Sequence, residues 1–301
     1  MIVSRAYKVH EQGGILITGF DGSKVALDLA KSLTSRGYIV FGACYNSVLN
    51  DAACIMVRMD VTSESSITRA AQVVRCKLAG LPLVAIVHCA GTAVVGPVED
   101  LRIQDLQHVF AVNTIGPCLV TSSLLDLLRE SEGRIVFMSS VLGWIGSPLN
   151  ASFSSSKLAL EAIADSLRIE MFKWNISVSI IELGNFVFVI QGCMNTGFTE
   201  KVKKDTWNLN YSKSVQNYKN LITSMNEILK NTKPLSTGYS TRAINHAIFS
   251  KYPKTRYFVG WDARATWLLR SIFPDRVLDA MYLGSMSAET DQNYNKDDTL
   301  N

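Results

Sequence analysis

Residues 15–33 read ILITGFDGSKVALDLAKSL. Ile15–Thr18 is a short apolar strand, Gly19-Phe20-Asp21-Gly22-Ser23 is a turn, and from Lys24 the apolar residues recur at helical spacing. A strand that turns through glycine into a helix aims the helix's first free N–H groups at the space above the turn. A dinucleotide-binding fold uses that arrangement to hold a pyrophosphate. Outward from this stretch, short β-branched runs alternate with longer segments of 3.6-residue period, the pattern of βαβ units around a sheet buried on both faces. The expected strands are Ile15–Thr18, Ile39–Cys44, Cys54–Met59, Leu83–His88, Arg134–Ser139 and Ile176–Ile181. The expected helices are 24–36, 64–78, 103–130 with a break near Gly116-Pro117, and 154–174. The fold class is therefore α/β: a doubly wound parallel sheet, Rossmann-like, with its ligand crevice at the carboxyl ends of the strands.

The chain has 301 residues, 48% apolar and 19% charged, which is ample for one core and excludes disorder over most of its length. With 19 Gly, 7 Pro and 6 Cys, collagen-like and disulfide-scaffold classes are excluded too. Thirty Lys and Arg face 26 Asp and Glu, a net of +4 with no basic run to track a phosphate backbone, so no nucleic-acid partner is expected. Cys44, Cys54, Cys76, Cys89, Cys118 and Cys193 are widely spaced, and they read as small buried hydrophobes of a reducing compartment, with neither disulfide nor metal. The first residues, MIVSRAYKVHEQGG, lack the apolar stretch of a signal peptide, and no long uncharged apolar run predicts a membrane span. A cytoplasmic location is expected.

After Gly184 the composition shifts. Residues 192–235 are richer in Lys, Asn and Ser, and residues 185–235 are expected to form a helical lid over the sheet. A helix at Thr241–Ile248 and a strand at Tyr257–Val259 should follow, then an apolar segment with Trp261, Trp267, Leu268, Leu269, Ile272 and Phe273. Residues 1–284 read as one domain, and 285–301 as a polar, disordered tail.

Taken in order, ITGFDGSKVALDLAKSL (17–33), HCAG (88–91), VNTIGP (112–117), MSS (138–140), FSSSK (153–157) and ELGNF (182–186) resemble the short-chain dehydrogenase/reductases. The branch most similar contains retinol, 17β-hydroxysteroid and 3-hydroxybutyrate dehydrogenases. The resemblance covers roughly residues 13–285, and as an ordered set it is far more specific than any single motif. It implies oxidoreduction of an alcohol or ketone with NAD or NADP. Cofactor contacts are implied for Thr18, Gly19, Gly22, Ser23, Asp60, Ala90, Gly91, Lys157 and Gly184. Asn113, Ser140 and Lys157 occupy three of the four catalytic positions.

Several departures bear on the chemistry. The fourth catalytic position, a tyrosine in the family, is Phe153, and no other Tyr-x-x-x-Lys occurs in the chain. In the family the tyrosine exchanges a proton with the substrate oxygen, and the Lys ammonium lowers its pKa from about 10. Here there is no phenol. Ser154 lies about 100° further round the helix and is no substitute. Ser23 and Val25 stand where the second and third glycines of Thr-Gly-x-x-x-Gly-x-Gly belong, so the Val25 side chain either pushes the helix outward or fills the space. Gly22 is expected to compensate by taking a positive φ. Leu183-Gly184 replaces Pro-Gly. Ala43-Cys44-Tyr45-Asn46 ends strand two with neither an acid for a ribose nor an Arg for a 2′-phosphate, so NAD and NADP both stay open, with a lean to NAD.

Each residue also has a plain structural role open to it. Asp60 reads equally as an N-cap. His88 reads as a buried histidine with a backbone partner rather than a catalyst. Ser140 reads as a strand-end cap, Lys157 as a solvated helix residue, and Asn113 as satisfying a helix kink. Two function classes follow: an oxidoreductase with altered catalysis, or a non-catalytic descendant that senses a ligand or serves as a scaffold.

Phe186, Phe188, Met194, Phe198, Trp207, Trp261 and Trp267 suggest a hydrophobic small-molecule partner, retinoid- or steroid-like, or else the core of the lid or a dimer face. Residues 264–284, with Arg264, Arg270 and Arg276 among Trp and Leu, suit a membrane surface, though packing against the fold is favoured. The family resemblance implies a homo-oligomer built on the 103–130 and 154–174 helices.

Overall fold

The computed structural model describes residues 5–45, 54–184 and 236–280. The expected lid at 185–235, with its aromatic residues and Cys193, and the tail at 285–301 lie outside the described residues.

Seven parallel strands form one sheet in the order β3-β2-β1-β4-β5-β6-β7: Gly14–Thr18 (β1), Ile39–Cys44 (β2), Ile55–Arg58 (β3), Leu83–His88 (β4), Arg134–Ser140 (β5), Ser177–Leu183 (β6) and Arg256–Val259 (β7). The order reverses direction between β1 and β4, the switch point where such sheets open a crevice. Alternation along β1 builds two cores. Leu16 enters one with Ile67, Val74, Val120 and Leu160, while Ile15 and Ile17 enter the other with Leu29, Leu33, Ile244 and Ile248.

Helix α1 (Lys24–Thr34) buries Val25, Ala26, Leu29, Ala30 and Leu33 along one stripe, and Ser23 caps it by accepting from the Ala26 N–H at 3.2 Å. Val25 is 7% exposed and joins the core around Phe20 and Leu29, so its side chain fills space inside the fold. Helix α2 (Glu64–Leu78) buries Ile67, Ala70, Ala71, Val74 and Leu78, and ends on left-handed Ala79.

The expected 103–130 helix is broken in two places. Helix α3 (Ile103–Phe110) widens into a π-turn at Ala111–Ile115, α4 (Gly116–Ser123) follows, and α5 (Leu125–Ser131) leaves at a bend of 58°. Pro117 has no N–H to return to residue 113, so α-helical spacing cannot run through this point.

Helix α6 (Ala151–Glu170) begins three residues before the expected 154 and passes into a 3₁₀ turn at Met171–Trp174. Helices α7 (Thr237–Phe249) and α8 (Trp261–Ile272) flank β7. Helix α8 packs on β7, with the Trp267 ring 5.4 Å from Phe258 and Ala263 buried, so the packing favoured for this segment is seen, while Trp261, Leu268 and Ile272 face outward. Cys44 is buried as expected and Cys76 is exposed. Among the described residues no single helix is long and apolar enough to cross a membrane.

Candidate functional site

The loop after β1 is held by the strand next to it. Gly19 has φ +68, and a Cβ there would come within 2.5 and 2.6 Å of the Ala90 Cα and N. Thr18 Oγ1 accepts from the Ala90 N–H at 3.2 Å, so β1 and β4 meet backbone to backbone at the switch point. Gly19 is therefore required by the fold before any ligand is considered. Gly22 does not take the positive φ expected of it, and no atom lies within 4 Å of where its Cβ would be. The Phe20 N–H donates to the Ala43 carbonyl and the Tyr45 N–H to Asp21 Oδ2, which ties the loop to the end of β2.

Asp60 is not the cap of α2. Ser63 is, while Asp60 Oδ1 accepts from the Thr62 N–H and hydroxyl at 2.8 and 2.7 Å in the turn before it.

Asn113, Lys157 and Gly91 come together. A Cβ on Gly91 would lie 3.6 Å from Asn113 Oδ1 and 3.8 Å from Lys157 Nζ. The Asn113 amide sits in the π-turn and donates to the Thr92 carbonyl (2.8 Å) and Ser156 Oγ (2.9 Å), while its oxygen accepts from the Thr92 N–H (2.8 Å). These three bonds pin the exit of strand β4 against α6, and none of them reaches the kinked helix that Asn113 was expected to satisfy. Lys157 is 5% exposed and donates to the Met138 carbonyl at 2.8 Å, so it is not a solvated helix residue.

Phe153 and Lys157 share one helical face, as their spacing predicts, with Nζ 5.6 Å from the ring centroid. The ring is buried with Ala93 and Leu142. Ser140 closes β5, and its Oγ accepts from the Leu142 N–H at 3.3 Å. That bond fixes the oxygen and leaves the hydroxyl hydrogen able to donate. The Leu142 turn links Ser140 to the Phe153 face of α6. Gly184 donates its N–H to the Val259 carbonyl, and its Cα faces the Asp262 carboxylate.

His88 has a side-chain partner where a backbone one was expected. Its Nε2 lies 2.9 Å from Thr121 Oγ1, and the ring stacks on Phe137. Burial, and then the Lys157 charge, push its pKa down to about 3. Burial pushes the adjacent Cys89 thiol up to about 12, so it is no thiolate nucleophile. Because the unfolded chain takes up the His88 proton near pH 6.5 and the folded chain resists it to about 3, this residue costs stability as pH falls through that window. The loss should reach about 2 kcal/mol at pH 5. Melting temperatures of wild type and His88→Asn from pH 7.5 to 4.5 check this: the variant should lose less on acidification, and parallel curves would refute it.

Ser156, Thr92 and Thr121 were not singled out from the sequence. Nothing in Ser154-Ser155-Ser156 distinguishes the one that meets Asn113 except its position one turn after Phe153, whose carbonyl it also bonds at 2.7 Å.

The short chain dehydrogenase family profile matches residues 15–205. Retinol dehydrogenase 5 of Mus musculus is 31% identical over 283 residues, covering 89% of this chain and 86% of its own length. The 17-beta-hydroxysteroid dehydrogenase type 6 of Rattus norvegicus is 34% identical over 280 residues, with the same coverage of 89% and 86%. Among solved structures, a short-chain dehydrogenase from Streptomyces avermitilis superposes with TM-score 0.69 at 22% identity, over 93% of this chain and 99% of its own. On this match of sequence and fold, the chain belongs to the short-chain dehydrogenase family.

Proposed function

We infer that the protein is a nicotinamide-dependent oxidoreductase of a hydrophobic alcohol or ketone, retinoid- or steroid-like, whose proton transfer is weakened because Phe153 stands where the family carries its tyrosine. The observation that carries this reading is the convergence of Gly91, Asn113 and Lys157, with the Phe153 ring 5.6 Å from the Lys157 ammonium. The substrate class comes from the retinol and 17-beta-hydroxysteroid dehydrogenases among the relatives.

The residues present fit a dinucleotide. Bare backbone at Gly19 and Gly91, the Thr18–Ala90 contact and the N-terminus of α1 form the cradle, and Lys157 stands where ribose hydroxyls would be held. When bound, the nicotinamide supplies the hydride acceptor or donor. Ser140 donates to the substrate oxygen. Lys157 holds the ribose and polarises a water, the remaining route for the proton. NAD and NADP are both compatible with the β2 end; a related short chain dehydrogenase from Burkholderia cenocepacia was solved with NADP.

Self-association is supported by Ile103, Ile115 and Leu158, which are 64%, 51% and 59% exposed on α3, the π-turn and α6. Peripheral membrane contact is supported by α8, where Trp261, Leu268 and Ile272 are exposed beside Arg264 and Arg270.

The second reading, a non-catalytic ligand or cofactor sensor or an interaction scaffold, is favoured by Ser23 and Val25 in place of glycines. Steady-state turnover on a panel of retinols, hydroxysteroids and 3-hydroxybutyrate separates the two. Slow, cofactor-dependent turnover of an apolar member is expected, and no turnover of any in a folded sample would favour the second.

A further inference from the structure

A buried charged cluster lies under the turn that follows Ser140. Glu161 on α6 and Glu182 on β6 both accept from Arg256 Nη1, at 2.6 and 2.8 Å, and the two residues are 3% and 1% exposed. Arg256 Nη2 donates to Asp165 at 2.6 Å; Asp165 is part-exposed and also receives Arg168 at 3.1 Å. The other Glu161 oxygen accepts from Ser139 Oγ at 2.6 Å. A Cβ on Gly143 would come within 2.5 Å of that same oxygen, and the Trp144 ring lies 5.0 Å from the guanidinium carbon. The turn is thus gripped at Ser139, Gly143 and Trp144 by Arg256 of β7 and the acids it gathers from two elements, α6 and β6.

The balance of charge makes Arg256 the critical member. Two buried carboxylates share one guanidinium nitrogen, and burial together with the Glu161 charge pushes Glu182 up to about 7. Glu161 is also raised, chiefly by burial. Without the guanidinium, which favours the charged form of both, the two buried acids must either repel at close range or take up a proton, and either way the Ser139 and Trp144 contacts lose their anchor.

We propose that Arg256 is a positioning residue: by clamping Glu161 to Glu182 it fixes the Ser139–Trp144 segment, and with it the Ser140 hydroxyl. Its importance for turnover rests on the function proposed above; the clamp itself does not. Neither residue order nor helical period could reveal it, because Arg256 lies 95 and 74 residues from its two partners.

The test is hydrogen exchange of backbone amides in 139–144, read against β1 and β4 segments as internal standards. Arg256→Gln should speed exchange of the 139–144 segment about tenfold or more while the standards hold. Adding Glu182→Gln, which removes the second buried acid that has lost its cation, should restore much of the protection, a rescue that mere loss of packing would not give. Unchanged exchange in Arg256→Gln, or no rescue in the double variant, overturns the proposal. Should Arg256→Gln not fold, Arg256→Lys, which keeps one cation without the fork, must show a smaller increase confined to the same segment; a uniform increase or none overturns it equally. In a Phe153→Tyr background, Arg256→Gln should lower kcat about tenfold with little change in the cofactor KM. If that background shows no turnover, the functional reading fails while the exchange result still judges the clamp.

Discussion

Phe153→Tyr is expected to raise turnover of a hydrophobic alcohol or ketone by about 10²- to 10⁴-fold, the contribution of one positioned general acid–base. The position is prepared for the group it lacks. Phe153 already occupies the Lys157 side of α6, and the ammonium is buried at 5% exposure and anchored on the Met138 carbonyl. A phenol there would feel that charge and ionise below its usual value near 10. On the function proposed above Ser140 is the other donor to the substrate oxygen, and its hydroxyl hydrogen is left able to donate by the Leu142 bond, so the variant would supply a pair of hydroxyls rather than a lone one. Initial rates with each nicotinamide, before and after the substitution, measure the gain. A variant that binds cofactor yet gains nothing would mean that the chemistry is disabled elsewhere as well.

Gly19→Val should destabilise the fold by about 2 to 6 kcal/mol, a large part of the stability of an ordinary domain. Two effects add. The residue sits at φ +68, where a β-branched side chain is a genuine outlier, and its Cβ would press on the Ala90 backbone at 2.5 Å, which has no flexible end to move. Chemical denaturation gives the number directly. Gly22→Ala is the control: its Cβ would meet nothing within 4 Å, so stability should change by less than about 1 kcal/mol. Equal losses in the two would contradict the account of the turn.

The contrast between those glycines marks how far the sequence could be read. A strand turning into a helix at Thr18–Lys24 was legible because hydrophobic period is local, and so were the strand positions and the shared face of Phe153 and Lys157. Which glycine takes the left-handed conformation was not, since the close approach that selects Gly19 comes from Ala90, on a strand far along the chain. Asn113 was found by its motif, but its saturation by Thr92 and Ser156 depends on the π-turn that Pro117 imposes and on how α6 docks. The early start of α6 was hidden for a similar reason. Ser152 Oγ donates to the Val94 carbonyl, 58 residues away, and seats the helix before the expected 154. Which residues of α8 meet β7 and which face outward escaped the pattern as well, because Trp and Leu among arginines look alike whether they face protein or solvent.

The claim on which the rest depends is that the chain keeps a nicotinamide site and lacks chiefly the phenol. Calorimetric titration of the full-length wild-type protein with NADH and NADPH tests it most directly. Binding of at least one of them with a dissociation constant in the micromolar range is the predicted result, about −8 kcal/mol. A folded sample that binds neither would contradict it.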